Sequence, residues 1–197
     1  MSDTLYIDDA LFAKMERAVL RVERNMRRAS EALGAAGIPF AVIGGNAVAA
    51  WVGSVDEAEM RNTRDVDIMI RRADLDHVRG ALTEAGFFYR RVAGVDLFLD
   101  EENGKAADAV HILFAGEMVR PDEPGPNPDV SEVETVRGVP ALALFPLVQI
   151  KLTAFRRKDQ VHIQDLIRVG LVDESWVPRL PASLSSRLQE LLDDPEG

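Results

Sequence analysis

The sequence contains no cysteine. Disulfides, thiolate zinc sites and a cysteine nucleophile are excluded together. It also lacks a long hydrophobic run. The longest strongly apolar stretch, residues 140–150, carries two prolines and falls far short of the ~20 residues that a membrane-spanning helix needs. Residues 1–9 are polar and acidic, without the basic-then-apolar pattern of a signal peptide. The expectation is a soluble, cytoplasmic protein with no membrane partner. Bases are in deficit: 23 Lys and Arg against 33 Asp and Glu leave a net charge of −10. A long phosphate backbone is repelled by such a chain, which argues against general duplex nucleic-acid binding. A local basic patch can still meet a nucleotide or an RNA end. There is no Walker phosphate loop, no hydrolase-type Ser/His/Asp context, no internal repeat and no low-complexity tract.

What is present is the material of a globular protein. The 197 residues are 47% hydrophobic and 28% charged, which suits one domain of ordinary size, with or without a small helical appendage. From residue 9 to 36 apolar residues recur at helical spacing (Leu11, Met15, Ala18, Val19, Val22, Met26, Ala29, Leu33), with arginines interleaved and Gly34 and Gly37 as stops. Residues 39–43 read as a buried strand, 47–52 as a helix, and 65–70 as a strand. A helix over 73–85, capped by Asp74, precedes a hairpin of residues 87–92 and 95–99. Residues 109–115 form a further strand, 121–128 a loop, and 133–142 one more strand. Helices over 144–158, 160–169 and 183–192 close the chain. The fold class expected is α/β (α+β), with a mixed central sheet of about 4–6 strands flanked by helices. Residues 1–142 form the α/β domain and residues 143–197 a C-terminal helical subdomain packed on it.

Two features carry chemistry. Gly44-Gly45 turns the strand of residues 39–43 into the next helix. Glycine lets a ligand approach the backbone, and the free N–H groups of a helix N-terminus favour phosphate; a plain tight turn uses the same residues. Asp65 and Asp67 then project from one face of a strand, roughly 6–7 Å apart. Two such carboxylates repel unless a cation lies between them. Mg²⁺ or Mn²⁺ fits that role; so does Arg64 as an ion-pair partner, and a solvated strand end needs neither.

Taken together, Ile43-Gly44-Gly45 followed by Thr63-Arg64-Asp65-Val66-Asp67-Ile68 resembles the nucleotidyltransferase superfamily that includes DNA polymerase beta, lincosamide nucleotidyltransferases and abortive-infection toxins. A weaker match continues over residues 145–166. The resemblance implies transfer of a nucleoside monophosphate from an NTP to a hydroxyl acceptor, which is a small molecule, an RNA end or a protein. It implies Mg²⁺ or Mn²⁺ on Asp65 and Asp67, and an NTP held by Gly44, Gly45, Asn46, Arg64 and Lys151. The toxin likeness adds a cognate protein partner. An inactive binding module on the same fold is the alternative.

The family supplies a third carboxylate from a later strand, as metal ligand and as base on the incoming hydroxyl. Here the candidates are Asp108, as catalytic residue and metal ligand, and His111, as base or ligand, or as a partly buried strand residue without a chemical role. Three residues apart on a strand they face opposite sides, so only one can point at the site. Downstream, Lys151, Arg156, Arg157 and Lys158 form a basic cluster. Asp159 reads as a helix cap. His162 and Asp165 share a helix face at hydrogen-bonding range, with Asp165 as an anchor for Arg156. His77 reads as solvent-facing, and Trp51 and Trp176 as packing residues.

Overall fold

The computed structural model describes residues 9–121 and 123–194. The polar segment ahead of Asp9 and residue 122 in the 121–128 loop lie outside them. The chain opens with helix α1 (Asp9–Ala35). A Schellman turn ends it, Ile38 N–H donating to Leu33 O and Gly37 N–H to Gly34 O, each at 3.0 Å. Only the C-terminal part of its apolar stripe is buried, from Val22 through Ala29 and Leu33; Leu11, Phe12 and Met15 are exposed.

Strand β1 (Phe40–Ile43) runs into helix α2 (Gly44–Gly53) without an intervening residue. Strand β2 (Val66–Ile70) and helix α3 (Leu75–Glu84) follow. Asp74 occupies the N-cap position of α3, but its side chain makes no capping bond. Strands β3 (Phe88–Val92) and β4 (Val95–Leu99) form the expected hairpin. Its two-residue turn is Ala93 and Gly94, at φ 50° and 85°, as a type I′ turn requires. Strand β5 is Val110–Phe114. The segment read as one strand over 133–142 is instead a second hairpin, β6 (Val133–Val136) and β7 (Val139–Leu142). Arg137 and Gly138 turn it, both with positive φ.

Helix α4 (Leu144–Ala154) stops where Phe155 turns left-handed at φ 45°, so the helix expected to reach residue 158 is broken there. Helix α5 (Arg157–Arg168) starts again at once, and α6 (Ala182–Asp193) closes the chain. No helix among the described residues is long and apolar enough to cross a membrane.

The strands form one mixed seven-stranded sheet in the order β3-β4-β5-β2-β1-β7-β6. Pairing is parallel at β2–β5 and at β1–β7, and antiparallel elsewhere. Splitting residues 133–142 into two strands takes the sheet beyond the expected size. Because side chains alternate along a strand, β2 sends Val66, Ile68 and Ile70 to one face, where α1 and α3 cover them with Val22, Leu33, Val78 and Leu82. Met69 points the other way, into a core shared by β1, β7, α2 and α4–α6. The helices on this second face cover its β1–β7 half. Its β4–β5 half carries only a small cluster of Leu97, Leu99 and Ala109.

Ala93 holds a left-handed conformation that costs an L-residue with a Cβ roughly 1–2 kcal/mol. Asn tolerates that region better, and Asn-Gly is favoured in type I′ turns. Ala93→Asn should therefore stabilise the protein by about 0.5–1 kcal/mol, measured as a higher urea midpoint at unchanged slope; a lower midpoint would contradict the turn assignment.

Candidate active site

The glycine turn and the acidic strand meet because β1 and β2 are antiparallel neighbours, with Ile43 opposite Asp67. Gly44 follows at φ +68°, and a Cβ there would overlap the Asp67 carboxylate and come within 2.9 Å of its Cβ. Glycine is required at this position both for its backbone and for the space. A Cβ on Gly45 would lie 3.0 Å from the Thr63 side chain. Ile43, at the N-cap of α2, has no side-chain acceptor to offer, and the helix has no acid in its first turn. Its leading N–H groups therefore lack a side-chain cap, at a helix end that carries partial positive charge.

Asp65 and Asp67 project together, as expected from their spacing. Asp65 is fixed twice. Thr63 Oγ1 donates to its Oδ1 at 2.8 Å, and Asn46 Nδ2 donates to its backbone carbonyl at 2.8 Å. Asn46, expected to contact the nucleotide, is thus engaged in holding Asp65. Across the parallel β2–β5 pair, Asp67 is in register with His111. His111 Nδ1 lies 3.6 Å from Asp67 Oδ1 and 3.9 Å from Asp65 Oδ2. Ligand atoms of Asp65, Asp67 and His111 all fall within 4.8 Å of one another.

His111 Nε2 lies 2.8 Å from the carbonyl of Ala106. A carbonyl only accepts, so Nε2 carries the proton. In the neutral ring Nδ1 is then a lone pair directed at the two carboxylates. A backbone acceptor orienting the far nitrogen of an imidazole is the usual support for a metal-binding histidine. Without a cation the Asp67 carboxylate, against the effect of burial, holds the imidazole pKa above 6.5. Burial pushes the Asp67 carboxyl up, but His111 and the charges of Lys151 and Lys158 outweigh it, and its pKa lies below the usual range.

Asp108 stands apart from this group. It sits on the short turn before β5, and its Oδ2 accepts from Arg21 of α1 at 2.8 Å. Arg64 is exposed and makes no hydrogen bond or ion pair among the described residues. Lys151 is buried with its Nζ 3.2 Å from Asp159 Oδ1. Burial lowers its pKa against the pull of Asp159 and Asp67. Asp159 caps α5 as expected, from the third position of the helix, where it forms part of a capping box. It accepts from the backbone N–H and the guanidinium of Arg156, the N-cap residue. Asp165 anchors Arg61 and Arg168, at 2.7 and 2.9 Å, and not Arg156. His162 makes no hydrogen bond to Asp165: its buried Nδ1 has no partner among the described residues, and burial, with the charge of Lys151, lowers its pKa to about 4. His77 is exposed. Trp51 donates to the Leu142 carbonyl and Trp176 packs on Phe145. The roles of Thr63 and the Ala106 carbonyl were missed in the sequence. A Thr two residues before an acid is a known local hydrogen-bonding pattern, whereas the Ala106 contact depends on the path of the turn before β5.

Residues 9–121, more than half of the chain, match the family described as uncharacterised nucleotidyltransferase. Among solved structures the fold is similar to that of the antibiotic-resistance factor ANT(2'')-Ia, with 12% identity, coverage of 89% of this chain and 93% of that one, and a TM-score of 0.52. It is also similar to an antigenic nucleotidyltransferase-like protein from Paracoccidioides brasiliensis, with 16% identity, coverage of 88% and 87%, and a TM-score of 0.52. At these identities the likeness is one of fold. No curated protein matches the sequence.

The raised His111 pKa stabilises the ion-free protein fully below the unfolded value of 6.5, and that contribution is lost as pH rises through the folded midpoint. Asp67→Asn should lower the imidazole midpoint followed by NMR, and His111→Gln should flatten the fall in stability above pH 6.5. An unchanged midpoint in Asp67→Asn would show that the two side chains do not interact in solution.

Proposed function

Because the chain belongs to the family of uncharacterised nucleotidyltransferases, we propose that it moves a nucleoside monophosphate from an NTP to a hydroxyl acceptor with the help of Mg²⁺ or Mn²⁺. The observation that carries this reading is the cluster of Asp65, Asp67 and His111 beside the N-terminus of α2. Two carboxylates and an oriented imidazole form a donor set that fits Mn²⁺ well. Mg²⁺ fits the carboxylates, with water completing its shell. Bound there, the ion would neutralise charge on the phosphates and help orient them.

The residues of the chain divide the remaining work. The leading N–H groups of α2, reached over Gly44 and Gly45, take the triphosphate. Asn46 and Thr63 hold Asp65 in place. Lys151 acts through its field on Asp67 rather than by contact with phosphate. Arg64, free and next to Asp65, is available to the nucleotide. His111 takes the third position of the site, and Asp108 serves to tie α1 to the turn before β5. The chemistry needs positioning and charge neutralisation more than covalent participation.

A second reading, an NTP-binding module without turnover, is favoured by one observation. The imidazole stands where the resemblance implies a carboxylate, and its proton can neutralise Asp67 without any ion.

Incorporation of label from α-³²P NTPs tests the first reading. Asp67→Asn should reduce transfer by about 10²–10³-fold, His111→Asp should retain it, and Asp108→Asn should leave it unchanged. Equal labelling by wild type and Asp67→Asn would remove the proposed site. Calorimetric binding of ATP with Mn²⁺, and no product from any class of acceptor, would establish the second reading instead.

A further inference from the structure

The row of paired residues Ile43, Asp67, His111 and Leu97 crosses the sheet from β1 to β4. Along it lie the glycine turn, the carboxylates, the imidazole and then an apolar floor. On the β4 side of the carboxylates opens a cavity of about 660 Å³, a size that holds a small molecule. Asp65, Asp67 and His111 line it, whereas Gly44 and Gly45 do not. In phosphoryl transfer the attacking and leaving oxygens stand roughly in line on opposite sides of the phosphorus. With pyrophosphate leaving on the α2 side of Asp67, the attacking hydroxyl must arrive from the β5–β4 side. That is where the cavity lies.

Its walls define what it accepts. Val92 and Val95, at the tip of the β3–β4 hairpin, are 50% and 44% exposed, and Met118 and Val119 in the loop after β5 are 44% and 54% exposed. These apolar side chains form two lips of the same opening. The charges within are mostly spoken for. Arg72 is ion-paired with Glu117 and lies 3.6 Å over the Phe114 ring. Arg156 is held by Asp159. Asp65 and Asp67 are assigned to the ion. Lys158 lines the cavity and is exposed; its charge reaches Asp67, but among the described residues it makes no hydrogen bond or ion pair. The cavity therefore has no carboxylate to spare for a cationic ligand and one ammonium to spare for an anionic one.

We propose, on the basis of the transferase reading, that the acceptor is a small hydroxyl compound with an apolar body and an anionic group. The body lies between the Val92–Val95 and Met118–Val119 lips, and the anionic group meets Lys158. The hydroxyl oxygen forms a bond to the α-phosphorus of the NTP, and the α–β bridging P–O bond breaks. Pyrophosphate leaves with the electron pair, and the hydroxyl proton passes to solvent water in the open cavity. Neither a polycation nor a nucleic-acid chain suits these walls.

The test is a panel of aryl and alicyclic alcohols, each in neutral, carboxylate and amine forms, with spermine added. Binding is followed by chemical shifts in ¹⁵N-labelled protein without NTP. Carboxylate forms should bind best and shift the amides of Val95 and Val119. Lys158→Glu should weaken them at least tenfold and turn the preference toward the amines, and Val95→Asp should abolish binding; both changes are at exposed positions. Preference of the wild type for amines or spermine, or a panel in which no member perturbs Val95 and Val119, would overturn the proposal. Mn²⁺ and ATP binding on the same samples reports on the transferase reading separately, so either can fail alone.

Discussion

The arrangement depends on the parallel pairing of β2 with β5, which sets Asp67 beside His111. Two carboxylates at alternate positions of one strand are a source of repulsion, which a positive group close by relieves. Here it is supplied from the neighbouring strand, by an imidazole whose far nitrogen is tied to the Ala106 carbonyl. A shift of register by one residue would turn His111 to the opposite face and leave Asp65 and Asp67 without it. The other contacts of the site are built around this pair. Gly44 makes room for Asp67, and Asn46 and Thr63 fix Asp65.

The unequal cover of the two sheet faces gives the pair its surroundings. One face is closed over β2 and β5 by α1 and α3. The other is closed by α2 and α4–α6 over β1, β7 and Met69 of β2, with Leu113 of β5 at its margin. The carboxylates stand at the edge of that cover, where a buried core on one side gives way to an open cavity on the other. This position accounts for their partial exposure, with side chains 29% and 19% accessible for Asp65 and Asp67. They are withdrawn enough from water for their charges to be felt and open enough for a ligand to reach them.

Much of this was legible in the sequence. Period-2 patterning identified β2 and the face shared by Asp65 and Asp67, and the strand–glycine–helix junction at Gly44 was visible as well. The fold class followed from the mixture of strands and helices. What failed did so where long-range contacts decide. The 133–142 segment folds back at Arg137-Gly138, a two-residue turn hidden within a run of otherwise extended residues. The last helices break at Phe155, a residue with no intrinsic preference for a left-handed conformation. Asp108 and His111 could not be separated from spacing alone, because the choice turned on where the strand begins and on Arg21, 87 residues away. The buried pairing of Lys151 with Asp159 was not read from the sequence. Their mutual burial depends on how α4 and α5 pack, which local pattern does not contain.

The contact between Gly44 and Asp67 has a consequence for how this sequence can change. A side chain at residue 44 and a carboxylate at residue 67 compete for one volume, so residue 44 cannot gain a Cβ while the acid stays in place. A lineage that lost the acid would gain room for a Cβ but would still meet the left-handed backbone at residue 44, and one that gained a Cβ there would first have to give up the acid or move the strand. The two positions, 23 residues apart in the chain, are thus linked in one direction, and a side chain at residue 44 in a related sequence would mark the loss or displacement of the acid.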